Sequence, residues 1–316
     1  MESLQNIKRR IKGIGNINQI TKAMELVAAA KMRKSQELAL NSRPYAFTAL
    51  DLLGNLSKLS EGHPIPELLA KRDIKRRLFV VITSDKGLAG AFNSAVIRQF
   101  ERYFRERGLS VKDENFSFIA IGQKAAAYLE RRTTLAAKYL KVGDFVAAEE
   151  TEPIARRIIS GYLKKDWDEV YLFATHFNSA LRQTVIGRGL LPVDYASLKT
   201  VADEVVPETG RFAELIREKE IPFFHEEPGN GTEYLIEPSP ETVLEELVEH
   251  LIMMRVYHII LEANASEHAA RRMAMKKASD NAQELAEELT LEYNKSRQAA
   301  ITKEIIEITS GVESLK

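Results

Sequence analysis

Near the start of the chain, Leu4, Ile7, Ile11 and Ile14 step by three, four and three positions, and Ile17, Ile20, Met24 and Val27 continue the series with one shortened step. Such spacing lays an apolar stripe on one face of a helix, and its alternation predicts a coiled-coil seam, overwound where the step shortens. The same alternation returns at Ala278, Ala282, Leu285 and Leu289, then at Ile301, Ile305, Ile308, Val312 and Leu315. Ser239-Pro240-Glu241 supplies an N-cap, a proline at the first helical position and an acid in the first turn. Beyond Pro240 there is no further proline and a single glycine, Gly311. The pattern predicts a helix of about 75 residues, on the order of 110 Å long, which must find partners along its length.

Between the ends the pattern changes to short apolar runs. Leu78 to Ile82, Phe116 to Ile121 and Val170 to Ala174 read as buried strands. Helices are expected between them, at about Ser94 to Arg107, Gln123 to Arg132 and Pro153 to Lys164, the alternation of a parallel sheet covered on both faces. Leu181 to Ile186 and Tyr234 to Ile236 are candidate edge strands. Pro44 kinks or restarts the first helix, which can run through Phe47, Leu50, Leu53 and Leu56 to the breaker at Gly62-His63-Pro64-Ile65-Pro66. Residues 197–232 are polar and carry no sustained period. The expected fold is α/β: an antiparallel coiled coil of long N- and C-terminal helices around a small Rossmann-like α/β domain, divided as 1–60, 75–238 and 239–316.

Charge sharpens the pairing. Residues 1–43 hold Lys8, Arg9, Arg10, Lys12, Lys22, Lys31, Arg33, Lys34 and Arg43 against Glu2, Glu25 and Glu37, whereas the last helix carries Glu284, Glu287, Glu288, Glu292, Glu304 and Glu307. Pairing of the two ends is therefore electrostatically sensible, and a basic solvated face is the plainer alternative. Gly13 and Gly15 each cost roughly 1 kcal/mol in a helix interior, so that tract calls for outside support. Over the whole chain 45 basic and 45 acidic residues cancel, which gives no global argument for nucleic acid or acidic lipid. The absence of cysteine removes disulfides, thiolate catalysis and thiol regulation. The first residues form no apolar signal region, and no run approaches the roughly 18 apolar residues of a membrane span. An intracellular chain that meets a membrane through a partner is expected.

Candidate chemistry is sparse. Ser84-Asp85-Lys86-Gly87-Leu88-Ala89-Gly90 follows a strand and precedes a helix, where backbone N–H groups could cradle a phosphate. Its glycine spacing fits neither the P-loop nor the dinucleotide fingerprint, so a tight structural turn and an anion site both stand open. No two of the six histidines share the i, i+4 spacing of helical metal ligands; Glu246 and His250 share a face without a third ligand in sequence reach. No catalytic residues, cofactor or metal are expected. In Arg271-Arg272-Met273-Ala274-Met275-Lys276-Lys277 small and flexible apolar residues alternate with bases, which suits close helix approach.

Four stretches together point to a family. Ile20 to Lys31 (Ile-Thr-Lys-Ala-Met-Glu-Leu-Val-Ala-Ala-Ala-Lys), the block from Ser84 to Asn93, Ala265 to Arg271 continuing through Asp280-Asn281-Ala282, and Tyr293 to Ile308 followed by Gly311 resemble the γ subunit of F-type ATP synthases. The last stretch covers that family's C-terminal signature. The chain departs from the pattern mildly at Val312, Lys86 and Ala89, and more at Gly13, Gly15 and residues 197–232.

The resemblance implies a central-stalk rotor subunit, one copy per complex, that couples ion flow through the membrane rotor ring to ATP synthesis or hydrolysis at a ring of three α and three β subunits. Its implied partners are those subunits, the ε subunit and the c-ring. Its implied place is the cytoplasmic face of a bacterial plasma membrane, as a peripheral part of the complex. Catalysis would lie on β. By motif position, Arg297, Gln298 and Thr302 would reach catch loops of α and β; Lys22, Met24 and Lys86 would approach the acidic lever of β. Ile305, Ile308, Val312 and Leu315 would form an apolar tip turning in a sleeve. A passive coiled-coil tether and a nucleotide-binding α/β enzyme are the rival classes.

Overall fold

The computed structural model describes residues 3–41, 66–143, 147–193 and 236–313. The helix expected through Phe47 to Leu56, the tract 197–232 and the strand reading at Tyr234 lie outside the described residues, and Ile236 is not in a strand. The elements in chain order are α1 (Leu4–Asn41), β1 (Arg77–Ile82), α2 (Phe92–Glu106), β2 (Phe116–Ile121), α3 (Gln123–Leu129), β3 (Ala137–Tyr139), α4 (Ala148–Leu163), β4 (Glu169–Phe177), β5 (Gln183–Leu191) and α5 (Pro240–Glu313). They fall into two compact units, a coil unit from residues 1–29 and 271–316 and a body from residues 30–270.

In the body, five strands form one sheet in the order β3-β2-β1-β4-β5. β1 lies parallel to β2 and β4, β2 parallel to β3, and β5 returns antiparallel along β4. The central strand explains its unbroken apolar run: Leu78, Val80 and Ile82 enter one core and Phe79 and Val81 the other, each at most 2% exposed.

One face packs on α2 and α3 through an aromatic cluster, in which Phe104 lies 4.7 Å from Phe79 and 4.5 Å from Phe100, ring centre to ring centre, in edge-on and tilted contacts. The other face packs on α4 and on the early turns of α5, where Leu244, Val248, Ile252, Val256, Ile259 and Ile260 join the same core as Val80 and Leu172. The opening of α5 is capped as its sequence requires: the Thr242 N–H donates to Ser239 Oγ at 3.3 Å.

Three elements differ from expectation. β5 spans Gln183–Leu191, whereas Leu181 to Ile186 is the expected edge strand. α4 begins at Ala148, ahead of Pro153, with Glu149 and Glu150 in its first turn, where carboxylates suit the positive end of the helix dipole. β3 is three residues long, too short to leave a periodic signal.

A polar knot ties the approach to β1 onto the end of α4. Arg72 donates to the carbonyls of Tyr162 at 2.8 Å and Trp167 at 2.6 Å, its guanidinium lies 3.9 Å from the centre of the Tyr162 ring, and it pairs with Asp168 at 3.3 Å. Asp168 Oδ2 accepts the N–H groups of Lys75 at 3.0 Å and Arg76 at 2.8 Å. Trp167 fits only because residue 161 is glycine, since a Cβ there would stand 2.0 Å from the indole. Burial alone would raise the Asp168 pKa, but the two backbone N–H groups and the Arg72 charge outweigh it and hold the carboxyl below its ordinary range. A depressed carboxyl stabilises the fold above its unfolded pKa, and that contribution fades as pH falls through the folded value. Asp168→Asn should therefore cost about 2 kcal/mol near neutral pH, with the gap from wild type narrowing below about pH 4. Urea denaturation across pH 3–7 reads this; a gap that is constant with pH would contradict the assignment.

Candidate functional site

The coil unit pairs α1 with the distal part of α5. Its seam on α1 runs through Leu4, Ile7, Ile11, Ile14, Asn18, Thr21, Glu25 and Ala28, all buried or half-buried, in an unbroken alternation of three and four. On α5 the matching positions are Met275, Ser279, Ala282, Ala286, Leu289 and Tyr293. A hydrogen bond runs from Ser279 Oγ to Asn18 Oδ1, between the two helices.

This corrects the expected seam. Ile17, Ile20 and Val27 are 53%, 59% and 54% exposed, and Leu26 is 62% exposed. The helix keeps the frame set by Leu4 to Ile14, so the shortened step does not occur and the in-frame positions are polar or small. Their polar groups are satisfied locally: Thr21 Oγ1 donates to the carbonyls of Ile17 and Asn18 at 3.0 Å, and Lys22 Nζ meets Glu25 Oε2 at 2.9 Å. Leu285 is likewise 41% exposed, while Ala282 and Leu289 are buried as expected.

Counting outward from the Asn18–Ser279 bond, the start of α1 at Leu4 falls beside Tyr293. Beyond that level no described residue of the unit's other helix lies beside α5, and Ile301, Ile305, Ile306 and Ile308 are 49% to 66% exposed. Their seam-like spacing is real, but they are not buried in the chain's own coil. Arg297, Gln298 and Thr302 are exposed on the same stretch, with the Thr302 hydroxyl donating to the Gln298 carbonyl at 2.9 Å. Lys22 is exposed, and Met24 is half-buried beside the outward row. The backbone of Val312 belongs to α5, its side chain lies outside the described set, and so does Leu315.

Lys86 belongs to the body and is exposed in the turn after β1. That turn is held by its own side chains and braces a neighbouring helix. Ser84 N–H donates to Asn93 Oδ1 at 2.9 Å, and Ser84 Oγ donates to the Lys86 carbonyl at 2.6 Å. At the start of α3, the N–H groups of Gln123, Lys124 and Ala125 are taken by Asp85 Oδ1 at 2.9 Å, the Ser84 carbonyl at 3.2 Å and Thr83 Oγ1 at 2.7 Å. The first donors of α3 are thus held by side chains and backbone of the turn, whereas α2, the helix that follows the turn, has no side-chain cap at Ala91. The close approach requires Gly122, at φ +89°, where a Cβ would stand 2.1 Å from the Thr83 carbonyl oxygen.

His176 Nδ1 lies 2.8 Å from Glu262 Oε2 and joins β4 to α5. An open groove of about 370 Å³ between α4 and α5 is lined by Glu152, Arg156, Glu246, Glu249, His250 and Met253, with Arg156 bound to Glu152 at 2.6 Å. Among the described residues no three His, Asp or Glu side chains gather as a metal would require.

A Rossmann-like body whose two long helices continue into an antiparallel coil, with an unpartnered apolar stretch at the distal end of α5, defines a class of α/β proteins that carry a coiled coil. The family model described as ATP synthase matches residues 3–315. Relatives of full length include the ATP synthase gamma chains of Geobacter sp. (strain M21), 39% identical over 316 residues, and of Halothermothrix orenii, 38% identical over 317 residues, each alignment covering all of both chains. Among solved structures, a chain of the Tetrahymena thermophila mitochondrial ATP synthase central stalk and c-ring is 25% identical with a TM-score of 0.57, covering 82% of this chain and 99% of that one. A chain of the Euglena gracilis mitochondrial ATP synthase is 19% identical with a TM-score of 0.60, covering 99% and 94%, and shares the fold. The chain belongs to the ATP synthase gamma chain family.

Thr83→Val keeps the shape of the side chain and removes the acceptor for the Ala125 N–H. It should destabilise the chain by about 1–2 kcal/mol in urea denaturation, as an uncapped helix N-terminus does. Unchanged stability would mean that the α3 donors are not held by the turn.

Proposed function

We propose that this chain is the rotating central-stalk subunit of an F-type ATP synthase and carries no catalytic site of its own. The observation that carries the reading is the distal end of α5, where Ile301, Ile305, Ile306 and Ile308 present an apolar surface with no cover from this unit's other helix. Such a surface is costly in water and calls for a sleeve supplied by other chains. The partners are three α and three β subunits around the coil, with ε and the c-ring at the membrane, on the cytoplasmic face in a bacterium. No described helix is long and apolar enough to cross a membrane, so membrane attachment runs through those partners.

In this reading the coil works by differential contact. An asymmetric pair of helices offers each β subunit a different surface, and a conformational equilibrium shifts only by the difference in interaction free energy between its two states. Lys22, Met24 and Lys86 meet the acidic lever of β, and Arg297, Gln298 and Thr302 engage catch loops of α and β. Ile305, Ile308, Val312 and Leu315 turn as the apolar tip, a suitable bearing because apolar contact is non-directional. The exposed row of Ile17, Ile20 and Val27 extends the contact surface beyond those residues.

Co-purification with α and β followed by an ATPase assay tests the assignment: the chain should join the α/β ring and alter its turnover. A chain with no affinity for α and β, or one that binds nucleotide alone, would contradict it. Met24→Lys places a second cation beside the exposed Lys22 at a moving contact. It should lower ATP-driven proton pumping severalfold while leaving the amount of bound chain near wild type; equal losses of pumping and bound chain would remove Met24 from the coupling surface.

A further inference from the structure

We infer that the Asn18–Ser279 pair is a register pin, which fixes the axial alignment of the two helices of the coil unit. Next to Ser279 the α5 side of the seam is built of small residues, Ala282 and Ala286, with half-buried Ala278 beside them; the larger Met275 and Leu289 flank this stretch. Alanine methyls present nearly the same surface after a slip of one turn, about 5.4 Å, so apolar packing alone discriminates poorly between neighbouring registers.

Polar groups in the seam discriminate sharply, but only when their partner is on the other helix. Thr21 bonds carbonyls of its own helix, and Glu25 pairs with Lys22 one turn back. Neither bond depends on where α5 lies. The Asn18 bond does, because it reaches across 261 positions of sequence to Ser279, which is 6% exposed. A slip of one turn would set the Asn18 amide against Ala282 or Met275, which offer its oxygen no hydroxyl donor. The half-buried Asn18 amide would lose that partner, and a single seam asparagine is a known means of specifying register.

Register matters here because the two contact surfaces of the unit lie on different helices, the row Ile17, Ile20 and Val27 on α1 and the stretch Arg297 to Ile308 on α5. Their axial phase is set by the alignment of the pair. That consequence rests on the rotor reading, whereas the pin itself is tested on the full chain without partners, so either can fail alone.

The chain has no cysteine, so introduced pairs report without background. Ile11→Cys with Ala286→Cys marks the native register, seven residues outward from the pin on each helix. Ile11→Cys with Ala282→Cys marks a one-turn slip and is too far apart to bridge in the native alignment. Under mild oxidation the first pair should dominate in the otherwise unaltered chain. Adding Asn18→Leu and Ser279→Ala should move the yield ratio toward the slipped pair by about tenfold, equal to about 1.4 kcal/mol. The exchange Asn18→Ser with Ser279→Asn should restore the native preference. An unchanged ratio in the apolar variant would overturn the proposal. Loss of both cross-links would overturn it as well, because the pin is assigned to register and the apolar substitutions leave the pairing surface intact.

Discussion

A helix of 74 residues cannot stand on backbone hydrogen bonds and propensity alone, so each stretch of α5 has to bury a face against something. The first stretch does so in the body, where Leu244 to Ile260 complete the core on one face of the sheet. The next does so against α1, along a seam from Met275 to Tyr293. The last, from Ile301, is exposed and has no described helix of its own unit to lie on. One continuous element thus passes from a domain core to a two-helix coil to an exposed apolar stretch, and the remaining features follow from that succession.

In the body the switch-point loop after β1 serves as a brace. Thr83, Ser84 and Asp85 direct their acceptors at the first N–H groups of α3, and the Ser84 hydroxyl donates to the Lys86 carbonyl within the turn. The same loop is then free to carry exposed Lys86 and Leu88 outward.

Much of this was legible in the sequence wherever a residue pattern admits one physical solution. The runs at β1, β2 and β4 are too apolar for anything but strands covered on both faces, and Ser239-Pro240-Glu241 opens a helix. What failed was the assignment of partners. Ile17, Ile20 and Val27 carry a helical period, but the frame fixed by Leu4 to Ile14 turns them outward and brings Asn18, Thr21 and Glu25 inside. Periodicity at Ile301 to Ile308 likewise announces a neighbour without saying which chain supplies it. The signal that distinguishes the cases is polar: an asparagine, a threonine and a glutamate at in-frame positions look like defects in a seam until the Ser279 hydroxyl and the local acceptors are seen. β3 left no comparable trace because three residues set no period.

On the rotor reading this chain transmits work by turning within an assembly. Its direct test is a rotation measurement on a surface-held ring of α and β subunits containing this chain, with a bead attached through Lys112→Cys, an exposed position on the body. With ATP the bead should advance in one direction in steps of about a third of a turn, one per β subunit. Sustained ATP hydrolysis with a stationary bead, by a ring that retains the chain, would contradict the account.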